Sequence, residues 1–498
     1  MKLSTCGISL LVLVLATCSG AQTPPSPAAP STPDVLTVST KHVIKLAGVD
    51  LAYTATAGTI PIKSDDNEVE GRMFYVAYTK DGAAPGTRPL IFAYNGGPGS
   101  SSTWLHLGAL GPQRAAMRDD GTMPAPPYHV VDNQETWLPD ADIVMVDAMG
   151  TGYSRLTKPE FGKNFYGINQ DVRAFSEFIR AYLTANQRYS SPLFVCGESY
   201  GGIRSAGLAG RLLEKGIALS GVIIISGTMN FGTLDSSRGN DTPYVGFLPS
   251  LAATAWYHKR LSPRSQGSLK KTVAEVEAFA EGEYANALHR GTSLSAKESD
   301  HIASKLSEYI GVSKRYALQS HLRVSEFRFF KELLREEGKT VGRLDSRLTG
   351  TDSLQVGDSP DYDASDAAVT PVFNSCINDY LARDLQVKTD LVYRITGYGN
   401  IGEWDSPKGG YADTSESLRT ALVQNPYMKV MFACGYYDLA CPHFATHYSV
   451  NHMDLEAKQL ANISWSYYPA GHMMYIEKSS REKLHKDVAL FIQSAIKS

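Results

Sequence analysis

The sequence predicts an α/β fold with a mainly parallel central sheet, helices on both faces of that sheet, and an inserted, mostly helical cap. Three observations predict this architecture. Short apolar runs alternate with stretches of helical periodicity in the first half of the chain. A glycine-flanked serine stands between a predicted strand and a predicted helix. A long charged segment then interrupts the alternation, which resumes near the C-terminus.

The composition is that of an ordinary globular protein. The chain has 498 residues, of which 43% are hydrophobic and 20% are charged, and its formal net charge is −3. That length suits a large domain with an insertion, or two to three domains. Because the balance is not basic, it does not indicate nucleic acid as a partner. The sequence contains no heptads, internal repeat or zinc-finger cysteine spacing.

The N-terminus has the pattern of an export signal. Lys2 supplies a positive charge, residues 8–16 are apolar but too short to span a bilayer, and small residues lead to a predicted cleavage near Ala21. A competing interpretation is lipid modification at Cys18, although the preceding threonine fits that motif poorly. Residues 22–34 are rich in Pro, Ser and Ala, which predicts a disordered leader. Since no later segment reaches transmembrane length, we expect an exported protein, periplasmic or secreted.

Four cysteines follow the signal region, at positions 196, 376, 434 and 441. An oxidising compartment permits disulfides, but four cysteines allow three connectivities and the sequence does not choose among them. Cys196 lies in the predicted strand before the serine motif, where a buried free thiol is favoured over a bridge.

Five segments describe the predicted organisation. They are a signal peptide at 1–21, a leader at 22–34, the first part of the core at 35–235, the cap at 236–412 and the second part of the core at 413–498.

Periodicity assigns the elements within these segments. The alternating pattern from about residue 35 to residue 80 predicts an antiparallel meander. The short apolar runs that predict core strands are 89–94, 142–147, 193–196, 221–225, 428–435 and 463–468. Helical spacing in the core begins with Phe175, Phe178, Ile179, Tyr182 and Leu183, and in the cap it covers 270–290, 296–310 and 324–337. The closing amphipathic helix has Leu484, Val488, Phe491, Ile492 and Ala495 on one face.

The most informative motif is G-x-S-x-G at residues 197–201, followed by Gly202. A hydrophobic run precedes it and a helix-competent run follows it, which is the context that the motif requires. The turn holds the serine backbone in a strained conformation that only small neighbours permit, and it exposes the hydroxyl above the sheet edge. The alternative is a glycine-rich turn with an idle serine. We predict that Ser199 is a nucleophile.

A serine nucleophile needs a base, and the base needs an orienting acid. In α/β-hydrolases the acid and then the histidine follow the serine, each on a loop after a late strand. Asp438 and His472 occupy such positions, although either residue alone is more often a turn or surface residue. The competing histidines fall on a predicted helix, where packing or surface exposure explains them better; they are His443, His447 and His452.

Backbone N–H groups can stabilise the developing oxyanion without reorganisation. One should come from Tyr200, directly after the nucleophile. The second should come from Gly97 in the N-G-G-P-G loop at residues 95–99, where glycine lets the backbone approach the substrate. A plain turn is the alternative explanation of this loop.

Together these motifs resemble those of the serine carboxypeptidases of peptidase family S10, which have the α/β-hydrolase fold. Residues 95–102 read N-G-G-P-G-S-S-S, similar to the family's N-G-G-P-G-C-S-S. Residues 197–202 match the nucleophile motif G-E-S-Y-G-G, and residues 147–154 resemble D-x-x-x-G-T-G-[FY]-S. The acid segment and G-H-M at 471–473 match too. The segment 236–412 lies where the family has its cap, but it matches no catalytic motif.

The resemblance implies the substrate contacts. In the family the asparagine of N-G-G-P-G and the glutamate before the nucleophile bind the terminal carboxylate of the peptide, which implies this role for Asn95 and Glu198, with Gly96 in the same loop. A protonated carboxyl can donate to a carboxylate, so an acidic optimum follows unless burial raises the pKa of the glutamate. Cys441 and Met473 stand where the family lines the pocket beside the scissile bond, although core packing explains Met473 nearly as well.

Two positions depart from the family pattern. Ala109 stands before L-G-P at 110–112, where the family places a second glutamate. The acid pair that shares a proton is therefore missing or rebuilt from the cap, which leaves strict C-terminal specificity and the acidic optimum open. The segment G-Y-Y-D at 435–438 lacks the first aspartate of the family but keeps the catalytic one.

The resulting hypothesis is a secreted serine carboxypeptidase-like hydrolase that acts on peptides through an acyl-enzyme and needs neither cofactor nor metal. One alternative keeps the fold but makes the protein an esterase, an acyltransferase or a proline-type aminopeptidase, although those aminopeptidases usually begin the glycine loop with His rather than Asn. Another is a non-catalytic binding scaffold, against which the intact serine, aspartate and histidine argue.

Overall fold

The computed structural model describes residues 37–497, apart from positions 85, 264, 398, 400 and 409. The predicted signal peptide at 1–21, the leader at 22–34 and the competing Cys18 site lie outside the described residues. Within the described part of the chain, no helix is long and apolar enough to cross a membrane.

A ten-stranded sheet forms the centre of the protein. Its strands are β1 Val38–Leu46, β2 Val49–Lys63, β3 Val69–Lys80, β4 Leu90–Tyr94, β7 Asp142–Val146, β8 Arg155–Leu156, β9 Leu193–Glu198, β10 Gly221–Ile225, β13 Lys429–Gly435 and β14 Ile463–Tyr468. The remaining strands form two small sheets, which pair β5 Gln113–Ala115 with β6 Val130–Asp132 and β11 Thr340–Val341 with β12 Thr349–Gly350. The order in the large sheet is β1-β2-β3-β7-β4-β9-β10-β13-β14, with β8 beside β3.

The large sheet is parallel from β7 to β14 and antiparallel from β1 to β7. Every residue of β4, β7 and β10 is buried, which accounts for their continuous apolar sequences, because helices cover both faces of a parallel sheet. The predicted α/β class and the antiparallel meander before the parallel strands are both confirmed. The carboxyl ends of the parallel strands lie at one edge, where ligand sites form in such sheets.

Helices cover both faces of this sheet. The α-helices of the described residues are α1 Thr103–Leu105, α2 Ile168–Ala185, α3 Gly201–Glu214, α4 Thr242–Tyr257, α5 Leu269–Phe279, α6 Ala285–Arg290, α7 Ala296–Ile310, α8 Lys314–Gln319, α9 Glu326–Glu332, α10 Ala364–Arg383, α11 Ser415–Gln424, α12 His443–Asn451, α13 Ala457–Leu460 and α14 Lys478–Ile496. The apolar side chains of α2, α3 and α11 join the core on one face, and those of α10 and α14 join the core on the other. The five predicted apolar positions of the closing helix are all buried in α14.

Helices α4 to α10 lie between β10 and β13, and most of them share a third apolar core. The predicted helix at 296–310 is confirmed as α7, which a capping box at Ser295 begins and Gly311, with φ 71°, ends. The predicted helix at 270–290 is divided by a wider turn at Ala280–Tyr284, which contains Gly282, a poor helix former. The predicted helix at 324–337 was too long, since α9 covers only its middle.

Candidate active site

Ser199 lies at the sharp turn between β9 and α3. Its φ is 63°, a left-handed conformation that costs a non-glycine residue on the order of 1–3 kcal/mol. Its N–H donates to the carbonyl oxygen of Ile225 at 3.1 Å, and its own carbonyl accepts from Gly202 at 2.9 Å. A Cβ at Gly197 would lie 2.1 Å from the carbonyl oxygen of Gly201, so a side chain does not fit there. The predicted strand, turn and helix around the serine are therefore present.

Asp438 and His472 form a buried hydrogen-bonded pair beyond the ends of β13 and β14. The Nδ1 of His472 donates to Oδ2 of Asp438 at 2.9 Å. The other carboxylate oxygen accepts the N–H groups of Ala440 at 2.7 Å and Cys441 at 2.9 Å. Because Nδ1 is the donor in this assignment, Nε2 is left as the acceptor for a proton.

The environment of His472 acts on its pKa in two directions. Burial by itself lowers the pKa of the imidazole, and the charge and hydrogen bond of Asp438 raise it, with a net shift upward from 6.5. A base with a raised pKa is stronger, but it is neutral only at higher pH.

A cavity of about 440 Å³ brings most of the predicted site residues together. Those that line it are Asn95, Gly96, Gly97, Glu198, Ser199, His472 and Met473. Asp438 and Tyr200 are buried beside it, and the Sγ of Cys441 lies 4.0 Å from the Oγ of Ser199. Among the described residues no hydrogen bond joins the serine to the histidine, a contact that often tightens only when substrate binds.

The competing histidines have other partners. His443 contacts Glu277 at 2.8 Å, His447 contacts the hydroxyl of Tyr467, and the ring of His452 donates to a carbonyl oxygen of its own helix. None of the three lines the cavity that contains Ser199.

The glycine loop at 95–99 approaches the turn at Ser199 closely. A Cβ at Gly96 would lie 2.4 Å from the backbone nitrogen of Tyr200, so only hydrogen fits between the two loops. Gly97 has φ 107°, a conformation that favours glycine. Within the described residues neither the N–H of Gly97 nor that of Tyr200 donates to a protein acceptor. Both of the predicted oxyanion donors are therefore free to bind a ligand oxygen.

Glu198 is almost fully buried beside Ser199. Burial raises the pKa of its carboxyl to about 7, although His472 and hydrogen bonds from Tyr475 and Asn95 oppose the rise. The Tyr475 hydroxyl donates to Oε2 of Glu198 at 2.6 Å. The Oδ1 of Asn95 accepts the N–H of Leu105 at 3.0 Å, which orients its amide. A carboxyl group with this pKa is substantially protonated at neutral pH, as donation to a carboxylate requires.

Ala109 lies in the buried turn His106–Leu110, which packs against Tyr475. A Cβ at Gly108 would lie 2.3 Å from the ring of Tyr475, so the ring occupies the space beside this turn. The sequence reasoning missed Tyr475. Its position three residues after His472 was the available signal, since a tyrosine hydroxyl buried there requires a polar partner.

Arg204 on α3 ties the glycine loop to the nucleophile helix. Its guanidinium is fully buried and binds Asp171 through two hydrogen bonds, of 2.7 and 3.1 Å. A third hydrogen bond, of 2.7 Å, reaches the carbonyl oxygen of Asn95. This arginine was also missed, because its partners are distant in sequence.

Residues 343–347 connect the acid loop with the histidine loop, and we call this segment the strap. The carbonyl oxygen of Leu344 accepts the N–H of His472 at 2.6 Å. The N–H of Leu439, the residue after Asp438, donates to the carbonyl oxygen of Arg343 at 3.1 Å. A Cβ at Gly471 would lie 2.4 Å from the Leu344 oxygen, so the histidine loop needs glycine there.

The predicted cap contributes polar side chains to the same cavity, in Arg343, Asp363, Asp366 and Thr370. The pKa of Asp366 is raised by burial and by the neighbouring Asp363. No motif in the sequence marked these four residues.

All four cysteines outside the predicted signal region are buried and free. The expectation that Cys196 is a buried thiol is confirmed. Burial raises the pKa of that thiol well above its usual value, so it is not a reactive nucleophile.

Comparison with known families gives a match over most of the chain. The profile of the family described as serine carboxypeptidase matches residues 51–484.

Curated relatives carry related names. Serine carboxypeptidase-like 46 of Arabidopsis thaliana is 26% identical over 230 residues, which are 43% of this chain and 46% of the relative. Serine carboxypeptidase S10 family member 1 of Dictyostelium discoideum is 28% identical over 222 residues, 41% of this chain and 44% of the relative. The matched segments thus span about half the length of these curated relatives.

Solved structures with similar folds include a lipase in an open form, with 12% identity, a TM-score of 0.35 and coverage of 88% of this chain and 99% of the other. A structure of DcsB in complex with its substrate analogue has 11% identity, a TM-score of 0.40 and coverage of 89% and 100%.

Proposed function

This chain belongs to the serine carboxypeptidase family, and on that premise we propose that it is a serine-type carboxypeptidase that releases C-terminal residues from peptides. One observation carries the proposal. The same cavity contains the turn of Ser199, the imidazole of His472 and the buried carboxyl of Glu198. A nucleophile with its base, beside an acid that can recognise a carboxylate, is what cleavage next to a free C-terminus requires.

In the proposed first step, the Oγ of Ser199 attacks the carbonyl carbon of the last peptide bond. The hydroxyl proton moves to Nε2 of His472, while Asp438 holds Nδ1–H and stabilises the imidazolium. The N–H groups of Gly97 and Tyr200 bind the oxygen that becomes negative.

Collapse of the tetrahedral intermediate breaks the C–N bond. The proton on Nε2 of His472 passes to the leaving nitrogen, and the amino acid departs with an amine terminus. An acyl-enzyme ester on Ser199 remains. A water molecule then attacks this ester with His472 again as base, which regenerates the serine hydroxyl and releases the shortened peptide. The proposed cycle consumes one water molecule and calls on no metal or cofactor.

Recognition of the free C-terminus is assigned to Glu198 and Asn95. The neutral form of Glu198 can donate one hydrogen bond to the terminal carboxylate, and the amide of Asn95 can donate another. An ionised Glu198 would repel the same carboxylate, so recognition weakens as this group loses its proton. Met473 and Cys441 are placed near the reacting serine, where they would border the side chains beside the scissile bond.

The proposal also includes export, on the pattern of charge, apolar run and small residues at positions 1–21. Expression of the full-length gene product followed by N-terminal sequencing of the exported fraction tests this. A start near residue 22 supports export with cleavage. A lipid-bearing Cys18 supports the anchored alternative. An uncleaved protein that still contains Lys2 and stays in the cytosol contradicts both.

The direct test of the activity is mass spectrometry of an N-acylated dipeptide and its C-terminal amide after incubation at pH 4 to 8, with Ser199→Ala as the control. Loss of the last residue from the free acid in preference to the amide supports a carboxypeptidase. An aminopeptidase cannot cleave either N-blocked substrate. Cleavage of a simple ester with neither peptide attacked would identify an esterase and overturn the proposal.

A further inference from the structure

We propose that Tyr475 is a positioning residue that replaces a second carboxyl group beside Glu198, so that a single acid recognises the terminal carboxylate of the substrate. The inference rests on the proposed function, because it concerns how that site distinguishes a free C-terminus. Recognition then depends on the carboxyl group of Glu198, and Tyr475 determines which oxygen of that group remains free.

The position of Tyr475 is fixed from several sides. It lies in the short 3₁₀ turn Met474–Ile476 that follows the catalytic histidine, and it is fully buried. Its carbonyl oxygen accepts a hydrogen bond from Arg481 at 3.2 Å. Its ring packs against Gly108, where even a methyl group would collide with it. The hydroxyl therefore has little freedom to leave Glu198.

The turn at His106–Leu110 provides the space for this ring. The two residues at its centre are Gly108 and Ala109, which are small and buried. Ala109 and Tyr475 belong to the same buried core, so a long acidic side chain at position 109 would need buried space that alanine does not occupy. Alanine at position 109 offers no acidic group here, and the Tyr475 hydroxyl supplies a hydrogen bond to Glu198.

A phenol and a carboxylic acid are not equivalent partners. Two carboxyl groups share one proton, so both titrate together. The pKa of the Tyr475 hydroxyl is raised well above 10 by burial and by Glu198, so the phenol keeps its proton and only donates. Donation to Oε2 leaves Oε1 as the oxygen that can carry the exchangeable proton toward the substrate.

Charged groups reach Glu198 from several elements among the described residues, and Arg343, Asp363 and Asp366 line the same cavity from the predicted cap. His472 lies across the cavity, Asn95 donates from the glycine loop, and Asp438 acts from behind the histidine. Cys196 on the same strand is a neutral thiol at any pH of interest. Loss of recognition at high pH should therefore follow the titration of Glu198, which is coupled to that of His472, and its midpoint should respond to the donor strength of the Tyr475 hydroxyl.

The test compares kcat/KM as a function of pH for an N-acyl dipeptide and for its methyl ester, which has no terminal carboxylate. In Tyr475→Phe, the ionised form of Glu198 loses a hydrogen-bond donor. We expect the alkaline limb for the free acid to move upward by about one pH unit, while the ester profile stays in place. Site-specific 3-fluorotyrosine at position 475 is a stronger donor and should move the same limb downward. A merely structural role predicts no such opposite shifts.

Two further variants complete the experiment. Glu198→Gln removes the titrating group and should abolish the alkaline limb for the free acid. Tyr284→Phe is the matched control, because that buried hydroxyl donates one hydrogen bond of 2.7 Å to Leu322 far from the site, and it should leave both profiles unchanged. Unshifted limbs in both Tyr475 variants, or equal shifts for acid and ester, would overturn the inference. If Tyr475→Phe does not fold, the fluorotyrosine protein decides alone. A wild-type enzyme that does not prefer the free acid overturns the proposed function itself.

Discussion

The Nδ1 of His472 lies 2.9 Å from Oδ2 of Asp438, and both groups are almost completely buried. The remaining oxygen of the aspartate is bound by two backbone N–H groups of its own loop. These two hydrogen bonds hold the carboxylate in one orientation independently of the histidine. This geometry fixes which imidazole nitrogen is available to the serine.

Asp438→Asn should lower kcat by about 10⁴-fold with little change in KM, because the amide no longer selects the required tautomer of His472. Since Asp438 also raises the pKa of the histidine, the residual activity should show its acidic limb at lower pH than the wild type. Steady-state kinetics from pH 4 to 8 measures both effects. Asp241→Asn, which changes a carboxylate paired with Arg323 away from the cavity, is the control. An unchanged kcat would contradict the assigned role.

The pH profile for a free-acid peptide should be a narrow bell close to neutrality. Activity is lost as pH falls, because His472, whose pKa is raised above 6.5, becomes protonated. It is lost as pH rises through about 7, because Glu198 loses the proton that binds the substrate carboxylate. An ester substrate should retain the first limb and lack the second. An optimum below pH 5 would show that the carboxyl group of Glu198 loses its proton at a lower pH than we expect.

Arg204→Met should lower the free energy of unfolding by about 3–5 kcal/mol, because it leaves the Asp171 carboxylate buried without its partner. The double variant Arg204→Met with Asp171→Leu should recover much of the loss, since it removes the unpaired charge. Denaturant titration gives both values. Arg290→Met disrupts an exposed ion pair and should leave the unfolding midpoint nearly unchanged. A double variant no more stable than the single would argue against this explanation.

Gly471→Ala should reduce kcat by about 10²-fold or more, because the new methyl group would meet the Leu344 oxygen and displace the loop that contains His472. The matched control is Gly282→Ala in the wider turn before α6, where a Cβ has no neighbour within 4 Å. Kinetics with a circular dichroism check separates misplacement from unfolding. Full activity in Gly471→Ala would mean that the strap does not position the histidine.

Local sequence patterns predicted the elements of this protein whose structure depends on interactions between residues that are close in sequence. The strand before Ser199, the turn and the following helix form a contiguous signal, because glycine spacing and hydrophobic periodicity act within about ten residues. The cavity unites the predicted serine and histidine, although they are 273 positions apart in the sequence. The spacing of the family's motifs allowed the serine and the histidine to be predicted as a pair, because each follows a strand whose carboxyl end lies at the same edge of the sheet.

The contacts that escaped prediction all depend on packing between distant segments. Tyr475 and Glu198 meet only because β9 and the loop after β14 approach across the sheet edge. The strap has no motif, and its role rests on backbone carbonyls that any sequence possesses. The helix at 324–337 was overestimated because its charged pattern continues past Glu332, where α9 ends, into a separate 3₁₀ turn at Arg335–Glu337.

The strap also bears on when the proposed activity arises during synthesis of the chain. The strap lies among the helices between β10 and β13, so its hydrogen bonds to the loops of Asp438 and His472 form only after that segment has folded. Both of these loops are translated after the strap, and Ser199 long before it. If the proposed mechanism holds, we expect hydrolytic competence to arise late, when the tertiary structure is complete. A half-folded chain that already exposes its serine turn would then lack an organised base with which to attack neighbouring polypeptides.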